Sequence, residues 1–234
     1  MPNDKQVNIP LWQPVFTVIF LVAFGLITIW IGGDWRWTEG WIFVVLFWIA
    51  CLVTSVRMYF KDPGLFKERF SSPVQKDQKP WDKIVIWLVI LTYVLWMVIT
   101  PLDARRYGWS PDFPLWLKAA GFVITVLGFW LFYETFRENT FAAPVVKIQE
   151  ERKQHVISTG VYGFVRHPLY LGAGLYVIGG ALLMGSLFGM LAGVLFTSVL
   201  AARSVGEEQM LREQLDGYEE YTKRVRWRLI PYIF

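Results

Sequence analysis

The stretch LYLGAGLYVIGGALLMGSLFGMLAGVLFTSVLAA, residues 169–202, contains no charged side chain. As a single helix it would run roughly 50 Å, well beyond the ~30 Å hydrocarbon core of a bilayer. A turn signal, Met184-Gly185-Ser186-Leu187 supported by Gly189, divides it. Each arm is then about 16 residues, or roughly 24 Å of helix, which is short for a span. The predicted form is a tight helical hairpin, tilted or dipping through a locally thinned membrane.

Four further blocks nearly free of charge precede the hairpin: Trp12–Ile31, Trp41–Val56, Ile84–Leu102 and Phe113–Tyr133. The chain of 234 residues is 55% hydrophobic and 18% charged, against about a quarter charged in a soluble domain. These blocks predict an all-α, polytopic membrane bundle of about six hydrophobic helices followed by a cytoplasmic helical tail. The chain reads as one membrane domain, with four helices over 1–133 and a loop, hairpin and tail over 134–234. The first block ends in Gly32-Gly33-Asp34-Trp35, without a small-residue cleavage pattern, so a signal peptide is not expected.

The net charge of +4 does not mark a nucleic-acid binder; its distribution sets topology. Segment 61–83 carries six Lys/Arg, segment 134–168 five, and the tail from Arg203 to Arg228 six. The intervening loops hold only Arg36, or Arg105 and Arg106. The positive-inside rule puts the rich segments and both termini in the cytoplasm and requires an even number of spans. Cys51, the only cysteine, lies in a predicted span, which rules out an internal disulfide and makes a packing role the expectation.

The hairpin has a chemical consequence. Its return brings Arg203 back beside Arg166, His167 and Pro168. If the second arm continues as a helix, Glu207 lies at i+4 from Arg203, close enough to pair, and Glu208 at i+5, turned further around. Mixed charges gathered at a membrane boundary are costly. They mark either a functional site or a network that holds the hairpin to the tail. Pro168 suits the first turn of a helix, so Arg166 and His167 stand just before its N-terminus, where free N–H groups can hold an anion. Gly160, Gly163 and Gly172 permit close approach, and Tyr162 and Tyr170 offer rings and hydroxyls. The expected ligand is flat, polar and partly anionic, similar to a nucleotide or an amino acid. No GxGxxG or Walker loop is present. His155 and His167, the only histidines, match no familiar metal spacing, and no metal is expected.

KQHVISTGVYGFVRHPLYLG (153–172), the hairpin, and EEQMLREQLDGYEEYTKRVRWRLIP (207–231) together resemble the membrane methyltransferases of the isoprenylcysteine carboxyl methyltransferase type. The phospholipid methyltransferases share this pattern. The resemblance covers about the last 100 residues, from Asn139. It implies S-adenosylmethionine as methyl donor, reached from the cytosol, with contacts from His155, Val156, Ile157, Gly160, Tyr162, Arg166, His167, Tyr170, Gly172, Glu207 and Glu208. Arg203 matches the position that engages the acceptor, and His167 or the Glu207/Glu208 pair is placed to act as a base if the acceptor needs one. The acceptor would be a lipid or lipidated molecule entering sideways from the bilayer, its reactive group a carboxylate, amine or thiol.

A second resemblance is to the membrane sterol and enone reductases, which use NADPH, carry an Arg-His-Pro stretch and end near RLIPYIF. Their pattern has Asn after the proline and an acid after the glycine; here those positions are Leu169 and Ala173. A membrane scaffold without enzymatic activity is the third reading. The first four helices and segment 61–83 show no motif, although substrate selection is expected there.

Overall fold

A computed structural model describes residues 9–70, 72–75 and 78–234; Lys76, one of the counted basic residues, lies outside them. Among the described residues the chain is all helical. The helices are α1 (Trp12–Gly32), α2 (Thr38–Lys61), α3 (Pro63–Arg69), α4 (Pro80–Pro101), α5 (Leu115–Glu138), α6 (Pro168–Met184), α7 (Leu187–Gln214) and α8 (Tyr218–Arg224). A π-helical turn, Leu102–Tyr107, extends α4. Five helices are long and apolar enough to cross a membrane: α1, α2, α4 with its π turn, α5 and α7. Their outward faces carry large exposed apolar residues such as Val15, Ile19, Ile49, Leu91, Trp116, Val123 and Leu191. In water such faces would drive aggregation; against lipid they are the stable surface.

The hairpin forms where its turn signal places it. Gly185 adopts φ +83° and donates its N–H back to Ala181 O and Leu182 O, closing α6. Ser186 then opens α7, its Oγ accepting the N–H of Gly189 at 2.7 Å. The arms are unequal, since α6 has 17 residues and α7 has 28. The helix α7 runs past the apolar block and carries Arg203, Glu207 and Glu208 on one continuous rod, as the expected cytoplasmic extension requires.

Short as it is, α6 does not skim the membrane. It is apolar on all sides and buried among α2, α4, α5 and α7. Its closest partner is α5, through glycines on both helices. A Cβ at Gly128 would lie 2.7 Å from the Tyr176 backbone N, and one at Gly179 would lie 2.6 Å from the Thr125 N. The two backbones therefore touch where a side chain would have kept them apart.

One end of the bundle is closed by a buried carboxylate. Asp103, in the π turn and fully buried, accepts from Ser110 N and Oγ, Ser186 Oγ and Phe188 N. Lys118 pairs with Glu39, and Arg105 with Asp34, at the same end. The other end collects the described parts of segment 62–79 with segments 139–167 and 215–234, all of them rich in basic residues. The candidate site is there.

Candidate functional site

The open end is organised around two buried arginine–carboxylate pairs. The first begins with Asp82, in the first turn of α4 and fully buried. Its carboxylate accepts from Arg203 Nε at 2.7 Å and Nη2 at 3.1 Å, from Gln78 Nε2 at 2.8 Å and from Val146 N at 2.9 Å. Arg203 also donates to Pro144 O at 3.0 Å, and its guanidinium carbon lies 5.9 Å from the centroid of the Tyr170 ring. The expected pairing of Arg203 with Glu207 is not formed. Asp82, distant in sequence, takes the Nε and Nη2 edge of the guanidinium, while Glu207 accepts from Tyr170 Oη at 2.7 Å.

The second pair is a hub on Glu208, whose side chain is 2% exposed. Arg166 donates Nε to Oε1 at 2.7 Å and Nη2 to Oε2 at 3.1 Å, and Arg228 Nε donates to Oε2 at 3.0 Å. His167 Nε2 lies 3.2 Å from Oε1, and its stacked neighbour is Tyr170. The remaining Arg166 nitrogen, Nη1, donates to Val225 O and Arg226 O, while the Arg166 and His167 peptide N–H groups bond Trp227 O and Arg228 O. Arg166 and Glu208 thus latch the chain after α8 to the start of α6. All of the Arg166 side-chain nitrogens are engaged within the protein.

Between the two pairs lies a cavity of about 320 Å³, close to the lower bound of small-molecule sites. Its wall is divided. Ile86, Val89, Phe132, Leu169, Ala173, Phe196 and Leu200 make an apolar side reaching into the bundle. Asn139, Gln154, His155, Tyr162, His167 and Glu207 make a polar side. Glu207 is the only acidic residue on the wall among the described residues, and its side chain is 25% exposed. His167 stands between the two glutamates, with Nδ1 3.8 Å from Glu207 Oε2. Val156 and Ile157 run along the wall outside any helix, and their peptide N–H and C=O groups have no protein partner among the described residues. Tyr162 accepts from Asn139 Nδ2 at 2.8 Å, and Tyr221 Oη donates to Tyr162 O at 2.7 Å. Burial pushes the Tyr162, Tyr218 and Tyr221 phenols up, so they are hydrogen-bonding groups rather than bases near neutral pH.

Of the residues singled out in the sequence, His155, Val156, Ile157, Tyr162, Arg166, His167, Tyr170, Arg203 and Glu207 come together on this wall. Three do not. Glu208 is turned away into the hub, as its i+5 offset from Arg203 dictates. Gly172 packs on α5, where a Cβ would lie 3.1 Å from Gly128 O. Gly160 makes the turn before the Arg-His-Pro stretch at φ +56°, with Glu138 occupying the space of a side chain. Asp82, Arg69 and Arg228 were missed. The signal for Asp82 was present, a lone acid at the threshold of an apolar block in Pro80-Trp81-Asp82.

Residues 116–216, which hold α5 through α7, match the family model described as phospholipid methyltransferase. The chain is 28% identical over 163 residues to the delta(14)-sterol reductase of Mus musculus, a match covering 63% of this chain and 39% of the reductase. It is 24% identical over 175 residues to the protein-S-isoprenylcysteine O-methyltransferase of Schizosaccharomyces pombe, covering 64% of this chain and 72% of that protein. The chain therefore spans about two fifths of the reductase's length. The matched segment contains the hairpin and most of the cavity wall, and it bears out the resemblance read from the Arg-His-Pro stretch, the hairpin and the glutamate pair. With helices long enough to span a bilayer, the protein is an integral membrane protein that is similar, over residues 116–216, to the phospholipid methyltransferases.

Proposed function

We propose that the protein transfers a methyl group from S-adenosylmethionine to a lipid or lipidated acceptor at the membrane boundary. One observation carries this reading: a single cavity has one polar wall at the end of the helices and one apolar wall between them. A water-soluble donor and a bilayer-soluble acceptor can then meet without either crossing into the wrong solvent.

The wall fits the cofactor's chemistry. Glu207 supplies a carboxylate for its ammonium group. The open peptide groups of Val156 and Ile157 suit the edge of a purine, with His155 and Tyr162 flanking them. When bound, S-adenosylmethionine supplies an activated methyl on a sulfonium. The protein's own work is to orient, to exclude water and, for an amine or thiol, to accept a proton. His167 is held by Glu208 through Nε2, which leaves Nδ1 on the Glu207 side as the proton acceptor. Arg203 is fixed by Asp82 beneath Tyr170, and in this reading it orients the acceptor. Arg166 and Glu208 support the site by fixing the chain after α8. The positive-inside rule, applied to the basic segments, supports a cytoplasmic position for this end and for both termini. Helices up to residue 133 shape the acceptor's approach, and 134–234 hold the donor and, through Arg203, meet the acceptor.

The match to a sterol reductase favours a second reading, reduction with NADPH. The cavity is small for a dinucleotide. Calorimetric titration of the purified protein in detergent separates the two. S-adenosylmethionine is expected to bind saturably and NADPH not to bind. Binding of NADPH alone would replace the proposal with the reductase reading.

A further inference from the structure

Among the described residues, four Lys and Arg side chains line the cavity, and three have a carboxylate partner. Arg203 is paired with Asp82, Arg166 with Glu208, and Lys147 with Glu68 at 2.9 Å. The fourth, Arg69, has none within ion-pair distance among the described residues. It is the last residue of α3, a helix started by Asp62, whose side chain accepts the Leu65 N–H, and by Pro63 at the first position. Leu65 and Phe66 seat α3 against Phe136 and Ala142, and the Arg69 guanidinium carbon lies 5.1 Å from the Phe136 ring centroid. Phe132 and Leu169 belong both to this packing and to the apolar wall. Arg69 therefore stands where the apolar wall begins.

An arginine among aromatic and aliphatic neighbours is poorly solvated, and a second cation makes this worse. Burial first, then the Arg203 charge, press the Arg69 pKa down to about 10. It remains cationic at neutral pH. The carbonyls at the end of α3 offset part of this cost. They do not explain why the guanidinium faces a cavity whose other cations are matched.

The geometry points to Arg69 as the anchor for a negatively charged headgroup, a carboxylate or phosphate ester, on an amphiphilic acceptor whose chain lies along Ile86, Val89, Ala173 and Phe196. This rests on reading the cavity as a transfer site. A planar fork suits either anion. Glu207, the acid on the polar wall, is left for the cationic donor.

The test uses the full chain in nanodiscs of zwitterionic lipid, with fluorescence of cis-parinaric acid and of its methyl ester as probes. The wild type should bind the acid about tenfold or more tightly than the ester, the scale of one charge-assisted bidentate contact. Dodecyl phosphate should displace the acid, whereas dodecanol and millimolar inorganic phosphate should not. Arg69→Gln should bring the acid-to-ester ratio near one while leaving the S-adenosylmethionine affinity unchanged, and Arg69→Lys should keep part of the preference. Equal binding of acid and ester by the wild type would overturn the proposal, and so would a preference that survives in Arg69→Gln. Displacement by inorganic phosphate alone would remove the amphiphile. A fall in S-adenosylmethionine affinity in Arg69→Gln would assign the arginine to the donor instead. If Arg69→Gln does not fold, Arg69→Lys decides, because an undiminished preference there contradicts a role for the fork. Failure of the methyl-transfer reading shows separately, as absent S-adenosylmethionine binding in the wild type, and leaves the acid–ester comparison intact.

Discussion

The two ends of the bundle solve the same problem differently. At the closed end the buried Asp103 is satisfied by neutral donors, two serine hydroxyls and two peptide N–H groups. Each donor belongs to a turn, so the carboxylate serves to pin the α6–α7 hairpin to the end of α4. At the open end the buried carboxylates Asp82 and Glu208 meet arginines. Such pairs are weak contributors to stability against an apolar replacement, since desolvation offsets much of the attraction. Their repeated use at one end, beside Arg69, which has no carboxylate partner among the described residues, and the partly exposed Glu207, is what the proposed charged ligand requires; the closed end only holds a turn.

Removing a hub should show the contrast most strongly. Glu208→Ala leaves Arg166 and Arg228 buried or half-buried without their acceptor, and should cost about 3–5 kcal/mol, read as a large fall in the thermal midpoint in detergent. A midpoint within a degree or two of the wild type would mean that the latch is not structural. Asp103→Asn at the closed end should cost less, about 1–3 kcal/mol, because its donors are neutral and an amide oxygen still accepts some of them. Its S-adenosylmethionine affinity should equal that of the wild type; a changed affinity would show that the two ends are coupled. Glu207→Gln should move stability least, by under about 1 kcal/mol, since only Tyr170 donates to it. Yet it should weaken S-adenosylmethionine binding by roughly 30-fold or more in calorimetry, the loss expected when one partner of a charge pair is removed. Unchanged affinity in this variant would move the donor away from Glu207.

The hydrophobic elements were readable in the chain because a bilayer imposes a length on them. The hairpin was readable because Gly185 and Ser186 are the residues that a helix stop and start require. Pro168 likewise marked the start of α6. The short helix α3 carried the same punctuation in Asp62-Pro63, within a segment otherwise marked by its charge and by an expected part in substrate selection. The cavity wall was legible where its residues follow one another along the chain, as in 155–157 and 166–170. What stayed hidden was partnership. The i+4 rule paired Arg203 with its neighbour Glu207, whereas the fold supplies Asp82 from another helix, which takes the Nε and Nη2 edge of the guanidinium. The i+5 offset set Glu208 apart from Glu207 but did not show that Arg166 and Arg228 would both close onto it. Local spacing says which side chains can meet, and only the packing of distant segments says which of them are already occupied.

The shortness of α6 gives the site a depth. Its 17 residues rise about 25 Å, less than the ~30 Å of hydrocarbon that its neighbours are long enough to cross. With the closed end at one face of the bilayer, Pro168 and the Arg-His-Pro stretch lie several ångströms beneath the other, in a dent of the protein's own making. A lipid headgroup drawn into that dent descends instead of climbing out toward water. In the proposed transfer to a lipid, the thickness of the surrounding membrane then sets how far the headgroup descends, so lipid chain length becomes a variable of that transfer.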